Sequence, residues 1–214
     1  MLFVNFKTYK EATGENAVKL AKICEKVANV AGKEIILVVQ AVDVYRVSQA
    51  VKLKVFSQHA DEVEQGAFTG HISIDSLKQA GAKGTILNHS ENRVLMTKIR
   101  NVIKKCKEKK FPVLVCAQNA AEVGEISELK PNYVAYEPPE LIGGDISVST
   151  AKPEVIEDSL QQAGSVPLVV GAGVKNTEDV RKSVEMGAVG VLVASGVVRA
   201  KDQEKAVREL VAGL

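Results

Sequence analysis

Eight short apolar runs recur along the chain with amphipathic segments between them, and this alternation constrains the fold more than any other feature. The runs are LFVNF (2–6), EIILVVQ (34–40), KVFSQ (54–58), GTILNH (84–89), FPVLVCA (111–117), NYVAYE (132–137), VPLVVGA (166–172) and AVGVLVA (188–194). They are continuous and rich in β-branched residues instead of alternating with polar ones, the pattern of parallel strands covered on both faces. Helices are predicted over 15–31, where Ala17, Leu20, Ala21, Cys24 and Ala28 keep a helical period, and over 73–80, 94–109, 119–128, 153–163, 177–186 and 202–212. Asn176 to Asp179 supply a cap and first-turn acids, while Gly32, Gly81 and Gly187 stand where helices close.

Strict alternation of strand and helix requires a parallel sheet with right-handed crossovers, and eight units predict closure into a single-domain (β/α)₈ barrel over residues 1–214. An open doubly wound sheet is the structural alternative. It is disfavoured because no Gly-x-Gly-x-x-Gly follows the first strand.

Composition narrows the function classes. The chain is 46% hydrophobic and 25% charged, with no apolar stretch near the roughly 20 residues needed to span a bilayer. The start, MLFVNFKTYK, lacks the pattern of a secretory leader, and Cys24, Cys106 and Cys116 are odd in number and far apart. The expected compartment is the cytosol. Net charge is +2, and the five lysines of KKCKEKK (104–110) read as a solvated helix end suited to the C-terminal dipole, not as a nucleic-acid patch.

In such a barrel the active site lies at the carboxyl ends of the strands. Lys7 follows strand one, His89 ends strand four and Glu137 ends strand six. Each alone is weak evidence, but a cation, a neutral electrophile and a base around one cavity suit proton abstraction beside a carbonyl. The segment HSENR (89–93) is expected to begin a short helix whose positive end keeps the His89 imidazole neutral.

Glu137 opens EPPELIGG (137–144), in which Pro138 and Pro139 restrict one end, Gly143 and Gly144 free the other, and Leu141-Ile142 offers an apolar tip. That is the composition of a hinged lid. The turns after strands seven and eight, GAGV (171–174) and ASG (194–196), let backbone N–H groups approach an anion, and SGVVRA (195–200) is a candidate short helix beside it.

Taken in order, NFKTYKE (5–11), QHADEVEQGAFTGH (58–71), GAKGTILNHSENR (81–93), YEPPELIGG (136–144), GAGV (171–174) and VASGVV (193–198) resemble the archaeal triosephosphate isomerases over nearly the whole chain. The resemblance implies a TIM barrel in which Asn5 and Lys7 meet a triose phosphate, His89 is the electrophile and Glu137 the catalytic base. It further implies that backbone groups of Ile142, Gly143, Gly173, Ala194 and Ser195 grip the phosphate and that Glu91 orients Lys7. The segment 59–71 resembles the family's protruding third loop, whose tip, here Thr69, braces the catalytic lysine of a neighbouring subunit; a homo-oligomer follows. No cofactor or metal is required by that chemistry. The stretch 147–165 is shorter than in many archaeal relatives, so the packing of its outer helix is left open.

Two rival functions remain. A metal-dependent sugar-phosphate epimerase or a phosphoribosyl isomerase needs other rim groups, the former a histidine and aspartate cluster. A non-catalytic barrel that binds a phosphorylated effector keeps the glycine turns but has no use for Lys7, His89 and Glu137 together.

Overall fold

The computed structural model of this chain describes residues 1–138 and 153–214. Eight parallel strands close into a barrel in sequence order, the eighth pairing with the first. They are β1 (Leu2–Asn5), β2 (Ile35–Val39), β3 (Lys54–Ser57), β4 (Gly84–Leu87), β5 (Val113–Ala117), β6 (Tyr133–Tyr136), β7 (Leu168–Val170) and β8 (Gly190–Val193). Each lies inside one of the eight apolar runs, shortened by one to four residues.

The helices around them, among the described residues, are α1 (Glu15–Ala31), α2 (Ala41–Ala50), α3 (Ile74–Gln79), α4 (Met96–Glu108), α5 (Ala120–Glu128), α6 (Pro153–Ala163), α7 (Thr177–Glu185), α8 (Ser195–Val198) and α9 (Gln203–Val211). The predicted caps form: Asn176 accepts from the Asp179 N–H at 3.0 Å, and Gly32 ends α1 in the left-handed region at φ +61°. The short helix expected after strand eight is α8. The prolines, glycines and apolar tip proposed as a lid, apart from Pro138, lie outside the described residues, as do Ile142 and Gly143.

Because side chains alternate along a strand, each strand serves two cores. Phe3, Ile36, Val38, Phe56, Ile86 and Leu114 belong to the cluster that fills the barrel, whereas Leu2, Val4, Ile35, Leu37 and Val55 pack in the layer under the helices. Residues of both sets are almost wholly buried, which is why no polar alternation marks the strands. Gly84 has a packing reason: a Cβ there would lie 2.4 Å from the Phe56 ring. Phe56 in turn meets Phe3 edge-on at 5.9 Å, so the base of the barrel is closed by aromatic rings.

Two expectations need correction. Helix α2 was not predicted, because AVDVYRVSQA is rich in β-branched valine and has no side-chain cap. Tertiary contact supplies what propensity lacks: Val44 and Val47 are fully buried, and buried Asp43 accepts the Gly14 N–H at 3.1 Å just before α1. The lysines of 104–110 are not simply solvated. Lys107 donates to the Leu129 carbonyl at 2.7 Å, Lys105 pairs with Glu64, and Lys109 bridges Glu64 and Asp75 at 3.1 and 2.9 Å. These cations join α4 to the loop after β3, to α3 and to the end of α5.

Candidate active site

Lys7, His89 and Glu137 do not end strands but stand one or two residues beyond them, where the backbone is free to leave strand geometry. Lys7 uses that freedom. Its φ is +47°, a left-handed conformation uncommon for a residue with a Cβ. Asn5 holds it there: the buried Asn5 Oδ1 accepts the Lys7 N–H at 3.0 Å. The Gln58 amide donates to the Lys7 carbonyl at 2.9 Å and to Asn5 Oδ1 at 3.3 Å. The ammonium then meets Glu91 Oε1 at 2.6 Å.

Residues 89–93 form a turn, not the start of a helix, with the Asn92 N–H donating to the His89 carbonyl at 2.8 Å. The Glu91 N–H points at His89 Nδ1 from 3.2 Å, which makes Nδ1 an acceptor and assigns the imidazole proton to Nε2. Nε2 faces Glu137 Oε1 at 3.5 Å.

Glu137 is 4% exposed, and its Oε2 has no hydrogen-bond partner among the described residues. Burial pushes its pKa above the ordinary glutamate value; the neighbouring His89, the Cys116 thiol and the Lys7 ammonium pull it back without cancelling the rise. Cys116, also buried, is held well above the ordinary thiol range by burial and then by the charge of Glu137, so it serves as a neutral S–H partner. The carboxylate packs on Gly171, where a Cβ would fall 2.5 Å from Glu137 Cγ.

A cavity of about 380 Å³ draws these groups together: Asn5, Lys7, His89 and Glu137 line one part, Gly171, Gly173, Ala194 and Ser195 another. That volume suits a small metabolite. Next to it a second hollow of about 650 Å³ shares Lys7 and His89 but opens toward Tyr9, Val42 and Gln58. Among the described residues no group of three His, Cys, Asp or Glu side chains stands ready for a metal ion.

The loop after β3 carries Phe68, 46% exposed, and Thr69 at its exposed tip. Asp61 staples its base, accepting the Ile72 N–H at 2.8 Å and facing His59 Nε2 at 3.2 Å and the Lys98 ammonium. Burial alone raises the Asp61 carboxyl, but these three donors outweigh it and hold the pKa well below the carboxylate range.

Sequence reasoning missed Gln58, Asn88, Cys116 and Gly171 as parts of this site. Gln58 lay inside a quoted motif without a role, Gly171 was read only as part of an anion-binding turn and not as the seat of Glu137, and Asn88, a residue type that tolerates left-handed backbone, directly precedes the histidine.

The family model described as triosephosphate isomerase matches residues 1–211. The triosephosphate isomerase of Methanothermus fervidus is 46% identical over 215 residues, covering 99% of this chain and 97% of the relative. That of Methanocaldococcus jannaschii is 42% identical over 99% of this chain and 98% of its own. That of Thermoplasma volcanium is 42% identical over 98% of each. With a closed eight-stranded barrel, a rim that gathers lysine, histidine and glutamate, and relatives matched from end to end, the chain belongs to the triosephosphate isomerase family.

Proposed function

We propose that this protein interconverts glyceraldehyde 3-phosphate and dihydroxyacetone phosphate, with Glu137 as base, His89 as electrophile and Lys7 as the electrostatic partner of the developing charge. The observation that carries the reading is the single cavity shared by the three side chains and the glycine turns. Glu137 takes a proton from the hydroxymethyl carbon of dihydroxyacetone phosphate as the C–H electron pair becomes the enediolate double bond and the carbonyl pair moves to oxygen. The Nε2–H of His89 donates to that oxygen, the proton of the neighbouring hydroxyl passes to it so that the charge moves to the other oxygen, and as Glu137 returns its proton to the former carbonyl carbon the electron pair of that second oxygen closes the aldehyde C=O. No metal or cofactor enters this sequence.

A carboxylate kept in a dry site is a stronger base than one in water, and the upward pKa of Glu137 fits that need. Lys7, oriented by Glu91, balances negative charge on the enediolate and the phosphate. The phosphate is read as sitting on the backbone N–H groups of Gly173, Ala194 and Ser195, and the family resemblance adds those of Ile142 and Gly143, which lie outside the described residues. Incubation with dihydroxyacetone phosphate in deuterated water tests the chemistry. Deuterium is expected at the carbon next to the carbonyl; folded protein that exchanges none would sink it and favour a phosphate-binding barrel.

We also infer a homo-oligomer working in the cytosol. The reading is supported by the exposed Phe68-Thr69 tip and by the hollow beside Lys7, whose wall includes Val42, 80% exposed. A second copy's Thr69 would then brace Lys7. A monomeric mass in solution at full activity would remove this part. No helix among the described residues is long and apolar enough to cross a membrane.

A further inference from the structure

We propose that Asn88 is a positioning residue that sets the orientation of His89, and that its side chain rather than its backbone conformation is what the reaction requires. The inference rests on His89 being the electrophile and deepens that reading. Asn88 is the residue immediately before His89 and is 1% exposed. Its φ is +62°. Glycine fills such a conformation at the least steric cost, so an asparagine there adds strain unless its amide does something glycine cannot.

The amide is fully used. Oδ1 accepts the Val94 N–H at 3.0 Å, and Nδ2 donates to the Cys116 carbonyl at 2.9 Å and to Glu122 Oε1 at 3.2 Å. The first bond closes residues 88–94 into a ring, within which the Asn92 N–H already bonds the His89 carbonyl and the Glu91 N–H meets His89 Nδ1. The other two fix that ring to β5 and α5. Glu122 is itself braced by the backbone N–H of Gln118 and by Arg93, whose guanidinium also reaches the Asn88 carbonyl at 3.4 Å.

The anchor on β5 explains why the ring matters to chemistry. The Cys116 whose carbonyl Asn88 grips also presents its thiol to Glu137, and the Glu137 N–H donates to the neighbouring Ala117 carbonyl at 2.8 Å. Asn88 therefore references the imidazole to the same strand end that references the base. Without the amide, the ring is free to tilt, the Glu91 N–H loses its aim at Nδ1, and the Nε2–H tautomer is no longer enforced.

Asn88→Gly tests this, since glycine keeps the left-handed backbone and deletes only the three amide bonds. The expected result is a fall in kcat of about 10-fold to 100-fold, with KM for dihydroxyacetone phosphate within about twofold of wild type. Nitrogen NMR of the imidazoles supplies a readout that a merely structural role would not move, and the chain has only three histidines to assign. Wild type should show His89 as the Nε2–H tautomer; Asn88→Gly should shift it toward a mixture. Asn88→Asp, which retains the acceptor for Val94 but loses both donors, should show the same change and serves if the glycine variant is poorly folded. Wild-type kcat with an unchanged His89 signature in a folded variant overturns the proposal, and so does a loss of melting temperature alone. His89→Gln run alongside separates the two readings: near wild-type turnover there removes His89 from the chemistry and this proposal with it. A large loss there beside an unaffected Asn88→Gly removes only Asn88.

Discussion

The two sides of the rim are built on opposite principles. On the side of β1 to β4, Asn5, Lys7, Gln58 and Glu91 bond to one another through side chains and hold a lysine in a left-handed backbone. On the side of β6 to β8 Glu137 stands among the small residues Gly171, Gly173, Ala194 and Ser195, with Val174 and Lys175 also on the wall, and one carboxylate oxygen is buried without a partner among the described residues. The bonded side fixes charge in place before a substrate arrives. The bare side keeps space and an unsatisfied base. A proton-transfer site needs both, because preorganised donors lower the energy of developing charge while a base tied up in hydrogen bonds would be too weak to take a proton from carbon.

The comparison breaks most easily at Glu137. Glu137→Asp withdraws the carboxylate by one methylene and should lower kcat by about 100-fold or more, since an ångström of misplacement costs that much, while KM stays near wild type. Steady-state assays in both directions check this; equal losses in kcat and affinity would mean the bare side binds rather than reacts. Gly171→Ala is a smaller probe of the same side. The new methyl would meet Glu137 Cγ at 2.5 Å, and the carboxylate has to move, with an expected drop in kcat of about 10-fold; unaltered kinetics would show that its present seat is dispensable.

On the bonded side, Gln58→Ala removes two hydrogen bonds around Lys7. Denaturant titration should show a loss of about 1–2 kcal/mol, accompanied by a rise in KM as the ammonium loses its aim. If stability falls and KM does not, the network supports the fold without preparing the site.

The smallest effect concerns pH. Burial raises the pKa of Glu137 in the folded protein, so folding disfavours its ionised form, and the cost is present at pH above the folded value. Below the ordinary glutamate range the side chain is protonated in both states and the cost vanishes. Glu137→Gln should therefore melt slightly higher than wild type at neutral pH, with the gap closing in acid. The acidic limb of kcat/KM in wild type should correspondingly sit above that of an ordinary glutamate. A gap that widens in acid would contradict burial as the source of the shift.

Much of this was legible in the chain because burial on both faces writes itself into composition. The eight apolar runs contain the eight strands, and reactive residues that follow such runs arrive at one rim whatever the helices do. Helix α2 was not legible, since its valines and absent cap argue against a helix and only its contacts with the barrel outvote them. The turn after His89 was misread for a related reason: HSENR carries helix-compatible residues, and the Asn88 amide that closes the turn onto Val94 is held by Cys116 and Glu122, far along the chain.

By itself the sequence determined the repeat of strand and helix, the identity of lysine, histidine and glutamate, and the strand each one follows. Those depend on residue type and spacing, which a linear chain carries openly. Tertiary structure alone decided the left-handed backbone of Lys7 and Asn88, the choice of Nε2 as the imidazole donor, and the rise in basicity of Glu137. The short-range bonds from Asn5 to Lys7 and from Glu91 to His89 hold because partners distant in sequence, Gln58 at Lys7 and Cys116 and Glu122 at Asn88, fix the two loops, and water is excluded from Glu137 only once the barrel has closed.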